Sequence, residues 1–121
     1  MEVSSIADTL AAMARQGGGT LDLSTGAAAT RESGYYVGGA HGIAAARFNM
    51  APTSPKQWKE CVERILNNVP ECAYVGVWEH AAMYYVDATD WHATEWDALE
   101  AGRARGEIAV WDIAKECEIT C

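Results

Sequence analysis

The side chains most able to do chemistry in this chain are acidic, and they are crowded. From Trp78 to Glu100 the sequence reads WEHAAMYYVDATDWHATEWDALE, with six carboxylates and neither lysine nor arginine. Residues 71–102 carry a net charge of −7, whereas residues 1–53, 54–70 and 103–121 carry −1, +1 and −1. Acids gathered this way can attract a basic surface over about a Debye length, roughly 8 Å at physiological salt. Glu79, Asp87, Asp90, Glu95, Asp97 and Glu100 are therefore the candidate partner-binding carboxylates. Trp91 and Trp96 lie among them and are the candidate interface anchors, because an indole offers a large apolar body with a polar tip. Trp91 falls in an expected connection, where core packing has less claim on it. A plainer explanation covers part of the same set: Glu95 and Asp97 stabilise a helix N-terminus, and Glu100 pairs with Arg103 at i,i+3.

A second chemistry would use His41, His80, Asp87 and His92 as an acid–base or metal-binding group. His80 is expected in a hairpin loop and His92 in a linker, where histidine is common without any catalytic task. The cysteines, Cys61, Cys72, Cys117 and Cys121, form no C-x-x-C pair, so a structural metal site is not expected and the thiols read as buried or incidental. The segment GYYVGGAHG has Val37 where a dinucleotide fingerprint needs its first glycine, and no Walker A, G-x-S-x-G or H-E-x-x-H sequence occurs. No cofactor and no catalytic residue is expected on these grounds.

The chain's nine basic residues are scattered against seventeen acids, which disfavours direct contact with nucleic acid. An acidic surface instead imitates phosphates, so a protein that grips nucleic acid is a natural partner. No apolar run approaches the roughly 18 residues that cross a bilayer, and MEVSSIADTL lacks a basic n-region and an apolar h-region. A soluble, cytoplasmic protein with reduced thiols and no membrane association is the expectation.

The elements that must position these residues follow from periodicity and punctuation. At 121 residues, one domain over 1–121 is expected. A helix is predicted from about Ser5 to Arg15, capped by Ser4 or Ser5, with Ile6, Leu10 and Met13 at helical spacing and Gly17–Gly19 ending it. TLDLS and GYYVGG read as strands. The clearest helix is TSPKQWKECVERILNN, in which Ser54 caps, Pro55 takes the first position, Gln57 completes a capping box and Pro70 stops it. AYVGVW and MYYVDA, separated by EHAA, read as a hairpin, and a third helix starts near Thr94 and ends before Gly106. EIAVWDI is a strand onto which CEITC can fold back. Trp58, Trp78 and Trp111 fit helix or strand faces and are expected in the core. The α-β-β-α-β-β-α-β order predicts an α+β domain with a mostly antiparallel sheet.

The arrangement YVGVWEHAAMYYVDATDWHATEWDALEAGRARGEIAVWDI, residues 74–113, resembles small uncharacterised proteins of phages and other mobile elements. GYYVGG adds to that resemblance. It implies a shared fold and a mobile-element origin, and brings no catalytic residues with it. Together the charge and the resemblance lead to the expectation of a non-enzymatic acidic protein that occupies a basic surface of a host protein, a nucleic-acid-binding surface being one option. An anti-CRISPR-like inhibitor of a defence system would be one case. The alternatives are a small enzyme or metal protein built on His41, His80, Asp87 and His92, and a homo-oligomeric structural module.

Overall fold

The computed structural model describes residues 2–40 and 54–121, and the backbone of residues 46–49. The elements run α1 (Val3–Arg15), β1 (Gly18–Asp22), β2 (Ala27–Ala28), β3 (Tyr35–Val37), β4 (Ala46–Asn49), α2 (Pro55–Asn68), β5 (Tyr74–His80), β6 (Met83–His92), α3 (Glu95–Arg105), β7 (Ala109–Asp112) and β8 (Cys117–Thr120). The strands form a curled antiparallel sheet in the order β2-β1-β5-β6-β3-β7-β8, with β4 also paired to β6. This is the α+β domain that the element pattern predicts.

The three helices occur where the sequence places them, and the reasons are local. Ser54 Oγ accepts from the Gln57 N–H while Gln57 Oε1 accepts from the Ser54 N–H, so the capping box of α2 is complete, with Pro55 at the first position. Thr94 caps α3 by accepting from the Asp97 N–H, and Gly106 ends it in the left-handed conformation at φ 72°. α1 differs from expectation at its start: it begins at Val3, and Glu2 at the N-cap makes no side-chain cap.

Strand alternation sorts the side chains into two faces. On one, Leu21, Val75, Val77, Val86 and Ala88 meet Ile6 and Leu10 of α1 and Trp58, Val62 and Ile65 of α2 in the main core. Farther along, Val37 and Val110 pack on Ala98 of α3, so all three helices cover the same face. The other face carries Tyr36, Trp78, Tyr85, Asp87, Thr89, Trp91 and Trp111, and no helix of the described residues lies over it.

Some elements depart from the sequence reading. β6 does not stop after MYYVDA but continues through Trp91 and His92, because β3 arrives to pair Tyr36 with Trp91 and Tyr35 with His92. The hairpin loop is shorter than EHAA: His80 pairs with Met83, which leaves Ala81 and Ala82 as a two-residue turn, both at positive φ. The two-residue β2 and the four-residue β4 had no clear sequence signal. CEITC does fold back, as β8 on β7. Of the tryptophans expected inside, Trp58 is in the core, Trp78 is half-buried on the open face and Trp111 is exposed there.

Candidate functional site

The open face holds a cleft of about 580 Å³. Its walls include the aromatic rings of Tyr36, Trp78 and Trp111, and its charged lining is Glu79, Asp87, Glu107, Glu116 and Glu118 against Arg31 among the described residues. The position of the acids follows from the fold. Asp87 lies in the middle of β6, on the face away from the helices, and sits opposite Gly76 of β5. A glycine in a central strand marks a close approach, and here a β-carbon at Gly76 would come within 2.8 Å of Thr89 Oγ1. On the other side of Asp87 stands Gly38, just past β3. A β-carbon at Gly38 would come within 2.5 Å of Glu107 Oε1 and 2.9 Å of Asp87 Oδ2, so only glycine lets the two carboxylates approach there.

Glu107 is delivered to that point by the end of α3. The Gly106 N–H donates to the Arg103 carbonyl at 3.2 Å and the Glu107 N–H donates to the Gly102 carbonyl at 2.9 Å. This pair of bonds is the Schellman stop, which fixes the backbone of the residue after the glycine. Arg105, one residue before that stop, forks onto Asp90 at 3.0 and 2.7 Å and also donates to the Gly38 carbonyl at 3.1 Å. The same arginine therefore ties α3, β6 and the Gly38 turn together beneath the carboxylate pair.

The electrostatics of the pair are unusual. Asp87 is 3 % exposed, and burial, followed by the neighbouring Glu107, pushes its carboxyl up to about 7 despite partial relief from the Trp78 indole and the Gly39 amide. Glu107, half-buried, is also raised by burial, with Arg105 opposing. Asp87 Oδ1 and the Tyr36 hydroxyl are buried with no hydrogen-bond partner among the described residues, and both belong to side chains lining the cleft. Buried polar atoms without partners are rare, because each forfeits its hydration. Both of these side chains line the one cleft.

The acids singled out by sequence are split between the two sides of the sheet. Asp87 faces the cleft, while Asp90, three residues on, faces the helix side, where Arg105 and His92 bind it. Burial opposes the charge of Asp90, but the hydrogen bond and charge of Arg105, with help from His92, hold its carboxyl below the usual range. Glu95, Asp97 and Glu100 are exposed on α3, beside Trp96, which is 71 % exposed. Glu79 ends β5 at the cleft rim. Trp91 is covered: its indole N–H donates to the Ser33 carbonyl at 2.9 Å, and the Arg31 guanidinium lies 3.8 Å over its ring.

The histidines do not converge on Asp87. His80 lies tilted beside Trp78 at the end of β5, His92 is held by Asp90 on the opposite face, and His41 lies outside the described residues. Among the described residues, no three His, Cys, Asp or Glu side chains gather as a metal site requires. Burial pushes the Cys61 thiol up to about 11. Sequence reading missed Glu107, Glu116, Glu118, Gly38 and Gly76. The one available signal was the glycine inside the otherwise β-rich YVGVW, which marks a close approach in a strand. No helix of the described residues is long and apolar enough to cross a membrane.

No family model, curated protein or solved structure matches this chain.

Proposed function

We propose that this chain is a non-enzymatic binding protein whose cleft on the open sheet face receives a basic group of a partner protein. The observation that carries the reading is the buried Asp87 carboxylate, with an unpartnered Oδ1, at the floor of a cleft whose other charges are mainly acidic. A cation entering there gains hydrogen bonds that the protein itself withholds, between aromatic walls that suit a flat, weakly hydrated group. A partner that normally grips nucleic acid fits this description, since carboxylates then stand where phosphates would. Inhibition of a host defence protein by a mobile-element protein is one such case, supported by the acidity and by the resemblance over residues 74–113.

The test is binding of a fluorescently labelled basic peptide, read by anisotropy at about 50 and about 300 mM salt. Binding should weaken steeply with salt and be lost in an Asp87→Asn, Glu118→Gln double variant, but survive neutralisation of Glu95, Asp97 and Glu100 on α3. Loss through the α3 variants alone would move the interface to the helix side and sink the cleft reading.

A second reading is favoured by one observation, the carboxyl of Asp87 held near 7 beside Glu107, which is the pairing that acid–base catalysts use. It predicts turnover of some substrate with a pH–rate step near 7 that disappears in Asp87→Asn.

A further inference from the structure

We propose that the floor of the cleft is a socket for one guanidinium group, the side chain of an arginine presented by a partner protein, held jointly by Asp87 and Glu107. This rests on the reading of the cleft as a cation site and goes further by naming the cation.

Geometry argues for the flat ion over the compact one. Asp87 Oδ2 and Glu107 Oε1 both lie within 3 Å of the single point where a Gly38 β-carbon would stand, so acceptor oxygens of two carboxyls converge on one spot. A guanidinium offers parallel N–H donors at that kind of spacing, with further donors left over. Asp87 Oδ1, buried without a partner among the described residues, is a further acceptor on the same side chain. An ammonium has three donors in a tetrahedral spread and loses strongly bound water on entry. Trp78 lines the cleft, stacked on Tyr85 with ring centroids 5.0 Å apart, and its indole N–H relieves Asp87.

The molecule holds its own arginines by the same two devices. The Arg31 guanidinium lies over Trp91 on this very face, and Arg105 forks onto the carboxylate of Asp90. The socket combines the devices at the floor of the cleft, where Gly38 lets Glu107 and Asp87 come close together and Gly76 lies opposite Asp87 on β5.

Entry of the cation has a proton consequence. The charged group acting on Asp87 is Glu107, and Arg105 acts in turn on Glu107; β5 contributes Trp78 and the turn after β3 contributes Gly39. With two carboxyls crowded and buried, the pair retains a proton near neutral pH. A guanidinium ion takes its place, and the proton leaves to the buffer.

Calorimetry at pH 6.5 with acetyl-Gly-Arg-Gly-amide and its lysine and citrulline counterparts tests this, run in two buffers of different ionisation enthalpy to count protons. The arginine peptide should bind at least about tenfold more tightly than the lysine peptide and release a fraction of one proton, while the citrulline peptide, uncharged but of the same shape, should not bind. Asp87→Asn and Glu107→Gln, each checked for folding by circular dichroism, should both lower the arginine affinity about tenfold or more and abolish proton release. Equal affinity for arginine and lysine, or full binding by Asp87→Asn, would overturn the socket while leaving a cation-binding cleft. Absence of binding by either basic peptide would overturn the socket and the cleft reading together. Tighter binding of free L-arginine than of the peptide would overturn its assignment to a partner's side chain.

Discussion

Burial raises the Asp87 carboxyl in the folded chain, and this ties stability to pH. An aspartate whose carboxyl is raised in the folded state contributes stability fully below about pH 4, where folded and unfolded chains both hold the proton. That contribution is lost as pH rises through the folded value of about 7, since the unfolded chain gives up its proton much earlier. Glu107 is shifted in the same direction. Asp87→Asn should therefore stabilise the protein at pH 8 by about 2–4 kcal/mol and flatten the decline between pH 4 and 8, as measured by urea denaturation across that range. A residue that costs stability and sits in a cleft is the pattern expected of a functional position. The tryptophans give a contrasting pair. Trp91→Ala removes the Arg31 stack and the bond to Ser33 and should cost about 2–3 kcal/mol, whereas Trp96→Ala, at a largely exposed ring, should stay within about 0.5 kcal/mol in thermal melts.

Elements were legible in the sequence to the extent that their signals are local. Ser54, Pro55 and Gln57 announce α2, and Gly106 announces the end of α3, because capping is settled within four or five residues. The length of β6 was not legible, since its second half exists only through pairing with β3, more than fifty residues earlier. That extension also decides the fate of the acids. Alternation along one strand sends Asp87 to the open face and Asp90 to the helix side, so carboxylates three residues apart end on opposite surfaces. The hairpin turn shows a local rule left unmet: Ala81 and Ala82 both take positive φ, where Asn and Gly are favoured. Ala81→Asn with Ala82→Gly should raise stability by about 1–2 kcal/mol in chemical denaturation without altering binding at the cleft.

At the scale of the whole molecule, the arrangement is one-sided. Helices cover one face of the curled sheet and build both core clusters, which leaves the other face for acids and aromatic rings. Of the candidate site, the acidity of the segment that holds Asp87 was readable from the sequence, but the neighbouring Glu107 was not. Twenty residues and a helix separate the two, and the glycine that lets them meet comes from a third element. Long-range pairing of β3 with both β6 and β7 closes that distance, and no short motif encodes it. The account's central claim is that this assembled floor is a cation site built around a protonated carboxyl. Carbon-13 NMR titration of the Asp87 carboxyl, with and without saturating arginine peptide, tests it most directly. A midpoint near 7 in the free protein, falling by at least about one unit when the peptide is bound, is the predicted result. A midpoint near 4 in the free protein, or one that the peptide leaves unchanged, would contradict it.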